Sequence, residues 1–300
     1  MPFAAELAES LSAPHQSGGL PLLLETWHHD ETEIVCRWPN DLEDLPDLAV
    51  RIRGAFGRVL AELPPPIVHR YDPFGRPAPF AVLFGDYLDE RRTTIAKPFV
   101  IDADVIGTEV VVRLRIFGAA MFWAAQARDA MLMALARGVA IRSESRHKVA
   151  FEPLSCNTRR IEGLPLPPVT RDAALRFVTP LVVRNGSLLG LSPRSLVNSL
   201  IARAIGLSRW QGLALTMDHA ELQLRAEAIT LDISGLMPVR FQRHSRRQPG
   251  HPIPVLGFAG KLGLQGPLTD IAPLLAVSAV AHVGSHAALG LGRCDVFAYG

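Results

Sequence analysis

Residues 284–293 read Gly-Ser-His-Ala-Ala-Leu-Gly-Leu-Gly-Arg. Glycines at 284, 290 and 292 let a chain turn several backbone N–H groups toward one anion, with no side chain holding the ligand away. The run follows the apolar stretch Leu274 to Val283 and passes into a short strand, Cys294 to Ala298, so it reads as a helix-to-strand connection. Glycines after a helix also serve simply to cap it, and the run alone does not make a site. Upstream, Arg240-Phe-Gln-Arg243-His244-Ser-Arg246-Arg247-Gln-Pro-Gly-His251 has arginine or histidine at six of twelve positions. Guanidinium forks match phosphate oxygens in pairs and stack on bases, chemistry that suits RNA. The plainer reading of that cluster is a solvated loop between two strands.

Proton transfer would fall to histidine, whose unperturbed pKa of about 6.5 lies near working pH. His244 stands among arginines and reads first as an RNA contact; the neighbouring cations would also lower its pKa and keep it neutral, as a base requires, so it is a catalytic candidate as well. His282 ends the apolar helix, where it could reach a ligand or merely complement the helix dipole. His286 lies inside the glycine run, and its plainer reading is a solvent-exposed side chain. The ten histidines include no HExxH or comparable ligand spacing, and His28-His29 would point to opposite faces of a strand. No metal site and no cofactor are expected. Cys36, Cys156 and Cys294 are widely spaced and odd in number, a pattern of reduced cytosolic thiols and not of disulfides or zinc.

The formal net charge is only +2, so any nucleic-acid footprint must be local. Lysine occurs only at 97, 148 and 261, and the positive charge is nearly all arginine. A 48% hydrophobic content over 300 residues can bury a sizeable core. No run of eighteen apolar residues suggests a membrane span, and residues 1–19 lack the pattern of a signal peptide. A cytoplasmic protein is expected. Three tyrosines and four tryptophans are few for a general single-strand binder that stacks bases on a sheet.

These candidates must be positioned by a framework, and the chain suggests one. Residues 154–168, with Pro165, Pro167 and Pro168, read as a linker dividing the chain into domains at 1–155 and 169–300. In the second, Ala174 to Val183 reads as a strand ended by Asn185-Gly186. Ser192-Pro193 opens a helix to about Ile205. Ile229 to Phe241 and Ile253 to Leu264 read as strands flanking the basic cluster, Asp270 to Ala281 as a helix, and Arg293 to Ala298 as the last strand. A helical insertion is expected near 206–228. The order is β-α-β-β-α-β, the ferredoxin-like arrangement. The first half repeats it through Glu33 to Trp38, the helix Pro46 to Leu63, strands Ala81 to Phe84 and Glu109 to Phe117, the helix Ala119 to Arg137, and the strand Val139 to Phe151. The fold class is therefore α+β: tandem ferredoxin-like domains with antiparallel sheets.

Four segments carry a family resemblance. They are Arg53-Gly54-Ala-Phe-Gly57, Arg240 to Gln248, Gly257-Phe-Ala-Gly260-Lys261, and His282-Val-Gly284 through Gly290-Leu-Gly292-Arg293. In order and spacing these resemble the RAMP superfamily, and within it the Cas6-like endoribonucleases that process precursor CRISPR RNA. The resemblance implies two ferredoxin-like domains, independently of the element order. It also implies cleavage of a repeat without metal, by attack of a 2′-hydroxyl on its own phosphate, followed by retention of the hairpin. The implied partners are the CRISPR repeat hairpin and other CRISPR effector subunits. The same fold could instead serve as an inactive subunit gripping the RNA handle. Many relatives carry a histidine at or just after the first-helix glycines. Here Arg58 follows Gly57; arginine is a poor base, though it can stabilise a charged intermediate. The catalytic candidates are thus His282, His244 and Arg58. The RNA-binding candidates are Arg53, Arg240, Arg243, Arg246, Arg247, Lys261, His286 and Arg293, with the backbone at Gly284, Gly290 and Gly292. Arg51 or Arg53 would pair with Asp47 or Glu62.

Overall fold

The computed structural model describes residues 2–38, 45–64, 77–90, 92–141, 148–182, 188–245, 248–284 and 286–299. The chain divides into two compact units. One comprises Met1–Gly18, Glu25–Gly163 and Ile205–Leu215; the other comprises Gly19–Leu24, Leu164–Ala204 and Thr216–Gly300. Each unit thus recruits a short segment from beyond its main run of sequence.

The first unit begins with α1 (Pro2–Ser12) and β1 (Gln16–Gly18); α2 (Leu20–Thr26), most of which belongs to the second unit, leads back to β2 (His28–Arg37). Then come α3 (Leu48–Leu60), α4 (Pro79–Phe84), β3 (Phe99–Ile106), β4 (Glu109–Phe117), α5 (Ala124–Arg137), the short pair β5 (Val139–Ala140) and β6 (Lys148–Val149), and β7 (Pro153–Glu162). Its main sheet has the order β3-β4-β2-β7, antiparallel throughout. Buried Leu48, Ile52, Ala55, Phe56, Val59 and Leu60 make one face of α3, the spacing of an amphipathic helix. Phe56 meets Phe99 edge-on at 5.9 Å, which seats α3 on the sheet.

The second unit contains β8 (Asp172–Leu181), α7 (His219–Ala226), β10 (Thr230–Ser245), β11 (Gln248–Gln265), α8 (Ala272–Ala281) and β12 (Cys294–Tyr299). Helix α6 (Pro193–Ser208) starts in this unit, and its end with β9 (Leu213–Leu215) belongs to the first, where β9 pairs in parallel with β1. The sheet order is β10-β11-β8-β12. Numbered within each unit, both sheets run 4-1-3-2, the ferredoxin-like order, and the tandem α+β expectation holds.

Three local expectations are corrected. Ala81 to Phe84, expected as a strand, lies in helix α4, and the second strand is β3. A four-residue apolar run fits either conformation, and Pro79 at the first helical turn decides it. Among its described residues, Val139 to Phe151 contributes the two-residue strands β5 and β6 and not a strand of the main sheet. The fourth strand of the sheet is β7, inside the stretch read as a linker. Nearly every β7 residue is exposed at the sheet edge, so it shows no apolar alternation, and Pro153 occupies the first position, where no ladder donor is needed.

Candidate nucleic-acid interface

The two motifs singled out in the sequence both belong to the second unit. β10 and β11 pair from Thr230↔Gln265 outward to Ser245↔Gln248, but β8 accompanies β11 only over Phe258 to Gln265. Beyond Val239↔Gly257 the hairpin is therefore a two-stranded ribbon projecting past the sheet. Nine residues separate Gly257 from Gln248, roughly 30 Å of strand. Arg240, paired with Leu256, opens this ribbon; its side chain is exposed and forms no ion pair with any described residue. Arg243 and His244 lie further out on the β10 backbone. Arg246 and Arg247 lie outside the described residues.

The glycine run is held shut at its base. The Val283 amide donates to Gly292 O at 2.8 Å, and the Gly292 amide to Pro180 O at 3.0 Å. The Arg293 amide donates to Thr179 Oγ1 at 2.9 Å. A Cβ at Gly292, where φ is +70°, would stand 2.0 Å from Val283 O, so only glycine fits. Gly290 takes the left-handed conformation after a 3-10 turn at Ala287–Leu289 and donates to Ala287 O at 2.9 Å. The Gly290 amide is thus occupied within the loop and that of Gly292 by β8. Those of Gly284 and Leu291 form no hydrogen bond with described residues. His286 is half-buried at the start of the 3-10 turn. His282 has φ +64° and a wholly enclosed ring, so it shapes the turn out of α8 and offers no surface to a substrate in this conformation.

Both motifs adjoin the end of β8. A Cβ on Gly257 would lie 2.6 Å from Pro180 Cβ and 3.1 Å from Leu181 O, and one on Gly284 would lie 3.8 Å from Leu181 Cδ1. The ribbon leaves on the β11 side and the glycine loop enters on the β12 side. Three strand spacings, about 14 Å, separate the Arg240 strand from β12. Arg293 is half-buried at the loop exit. Lys261 is not part of this grouping. It lies mid-sheet opposite Arg176, on the face that also carries Asp295, with its ammonium 4.7 Å from the Tyr299 ring centre.

The first unit carries the remaining candidates on α3. The Arg51 Nε donates to Asp47 Oδ1 at 2.9 Å, and its Nη1 to Ala140 O at 3.1 Å. Arg53 lies 4.8 Å over the Phe84 ring. Gly57 is structural as well: a Cβ there would press on that ring at 3.0 Å. Arg58, half-buried in the last turn, forms no ion pair with a described residue.

Sequence reasoning overlooked two arrangements. On the sheet face opposite α3, Arg115 bridges Glu31 at 2.6 Å and Asp102 at 2.7 Å, Arg159 joins Glu31 at 2.6 Å, and Arg113 bridges Glu33 and Asp104, both at 2.8 Å. Burial pushes the Glu31 pKa up, but Arg115 and Arg159 outweigh it and leave the carboxyl below its ordinary value. Beside them His29 accepts a 3.1 Å hydrogen bond at Nδ1 from Trp27 Nε1. Burial, helped by Arg115, holds its pKa down to about 4, so the ring is neutral at pH 7. Cross-strand spacing of acids and arginines was the available signal. The second arrangement is Arg203. It occupies a stripe with Leu196, Leu200 and Leu207, all buried, on α6, and a charge at a core-facing helical position was there to be noticed.

Residues 175–294 match the family model described as CRISPR-associated endoribonuclease Cas6. No curated protein matches the chain. Among solved structures, the chain is similar to a Cas6 product complex at 18% identity, covering 90% of this chain and 99% of that one with a TM-score of 0.51. It is also similar to a second Cas6 product complex at 17% identity, over 90% of this chain and 100% of that one, with a TM-score of 0.50. At such identities the structures speak for the fold, and the family model speaks for the segment bearing both motifs. The chain is Cas6-like in that sense.

Proposed function

Proceeding from that match, we propose that the chain is a metal-independent endoribonuclease that cuts precursor CRISPR RNA within the repeat and then retains the hairpin. The observation that supports this reading is that the ribbon opened by Arg240 and the glycine loop with its Gly284 amide both adjoin the end of one strand, β8. A two-stranded ribbon can follow a groove of a folded transcript while unpaired guanidinium and amide donors take its phosphates. Arg243, Arg246, Arg247 and Arg293 are further candidate phosphate contacts by their residue type, with the backbone around Gly284 and His286. Arg53 of the first unit and Lys261 of the second are kept, in this reading, as candidate phosphate contacts.

The reaction needs positioning, a base, an acid and positive charge. The 2′-hydroxyl oxygen bonds to the adjacent phosphorus, its proton passes to the base, and the P–O5′ bond breaks as the leaving oxygen takes a proton. A 2′,3′-cyclic phosphate and a 5′-hydroxyl result. His244 of the second unit is a candidate base, and Arg58 of the first unit is kept as a candidate source of positive charge. His282 belongs to the loop's architecture unless the loop opens. Other CRISPR effector subunits would then receive the retained RNA. The enclosure of His282 and the arginine at position 58 favour a second reading, a non-cleaving subunit that grips the handle. Incubating the protein with a repeat RNA in excess EDTA separates the two. Cleavage to a cyclic phosphate end supports the nuclease, tight binding of intact RNA supports the subunit, and failure to bind the hairpin defeats both.

A further inference from the structure

The glycine loop follows the C-terminus of α8, and that end of a helix carries the negative pole of the macrodipole and its unpaired carbonyls. A phosphate placed there meets the wrong sign of field. Arg203 lies beneath this junction. Its Nε donates to Ala281 O, the last carbonyl of α8, at 2.8 Å. One turn earlier on α6, Ser199 Oγ is 4.0 Å from the position a Cβ on Gly284 would take. The Arg203 guanidinium is buried, and its Nη2 has no hydrogen-bond partner among the described residues. Burial pushes its pKa down to about 9, which leaves it cationic at neutral pH.

Leucine fills the other three positions of the stripe, and leucine here would pack without burying an unmatched charge. Packing does not account for an arginine. We propose that Arg203 is a positioning residue for the RNA phosphate at the glycine loop: it ties off the Ala281 carbonyl and reverses the field under Gly284, so that the free loop amides face an environment that accepts an anion. The inference rests on the reading of this loop as an RNA contact.

The test compares hairpin RNA affinity and thermal melting of the full chain carrying Arg203→Gln or Arg203→Lys. Gln keeps a donor for the carbonyl without charge, whereas Lys keeps the charge without the planar fork. Arg203→Gln is expected to bind about tenfold more weakly, and Arg203→Lys within roughly threefold of the unaltered protein. Unchanged affinity in Arg203→Gln overturns the proposal, and so does an equal loss in both variants. If Arg203→Gln melts below the assay temperature, the Lys variant decides: retained affinity supports the proposal and lost affinity overturns it. An unaltered protein that fails to bind the hairpin would sink the reading of the loop itself and this inference with it. Binding by the unaltered protein with no change in Arg203→Gln would sink the inference alone.

Discussion

Arginine behaves in opposite ways on the two sheets. In the first unit Arg113, Arg115 and Arg159 are each held by carboxylates from neighbouring strands, and Arg115 has both its partners nearly enclosed. In the second, Arg240 projects from a ribbon beyond its sheet with no described acid to pair with. The first set stabilises a fold and has its charge spent locally; the second is free to meet a polyanion. Net charge or arginine count therefore says little about where RNA would bind, and pairing says much. The largest expected effect tests the first half of that contrast. Arg115→Met leaves the buried Asp102 and Glu31 carboxylates short of a partner and should cost about 4 kcal/mol of unfolding free energy. Hairpin affinity per folded molecule should not change. Denaturant unfolding and RNA titration on the same preparation would check both halves, and lost affinity in a folded variant would blur the contrast.

In the glycine loop, geometry itself is the constraint. Gly292→Val forces a Cβ against the Val283 carbonyl at a positive φ, and should cost about 3 kcal/mol together with RNA binding. A variant that keeps its melting temperature would show that the loop can be rebuilt. Acid gives an effect of similar size in the first unit. His29 binds its proton less readily folded, near pH 4, than unfolded, near 6.5. The stability this confers is intact above pH 6.5 and drains away as pH falls toward 4, by about 3 kcal/mol. His29→Asn, whose side-chain oxygen can still accept from Trp27, should flatten that stretch of the stability profile. An unaltered slope between pH 6.5 and 4 would move the titration to another group.

Arg240→Glu probes the other half of the contrast. It should leave the melting temperature unchanged, lower hairpin affinity about tenfold, and reduce the salt dependence of binding by about one unit of slope or more. Equal affinity at two salt concentrations would remove Arg240 from the interface.

Much of the second unit was legible in the sequence, because β8 and α8 are apolar runs bounded by turn residues: β8, α8 and β12 lie close to where those boundaries put them. The glycine loop and arginine ribbon were legible as motifs. Their adjacency at the end of β8 was not, because strand order is a long-range property. The first unit was harder. β7 is exposed on all but one residue and carries no apolar rhythm. α4 is six residues long, too short for a helical period to show. The charge ladder escaped notice because Glu31, Asp102 and Arg115 lie far apart in sequence and meet only through register. Arg203 is the reverse case: its place in an apolar stripe was visible, but its meaning depended on which helix end it met.

The smallest expected effect separates two glycines that look equivalent in the Arg53 to Gly57 motif. Gly54 is exposed on α3, and a Cβ there would meet nothing within 4 Å. Gly54→Ala should therefore stabilise the protein by about 0.5–1 kcal/mol, through lower backbone entropy in the unfolded chain. Gly57 sits 3.0 Å from the Phe84 ring, and that ring is pinned by stacking on Phe80 at 4.9 Å and by Phe99 at 5.1 Å. A Cβ at that distance must displace a ring braced against two others, so Gly57→Ala should destabilise by about 1 kcal/mol, because overpacking outweighs the helix propensity gained. Because Arg53 rests on the same ring, Gly57→Ala should also shift whatever RNA contact Arg53 makes, while Gly54→Ala should not. Opposite signs of stability change in the two variants would mark Gly57 as a packing requirement of the helix that carries Arg53 and Arg58; equal signs would mean that the motif's two glycines are interchangeable.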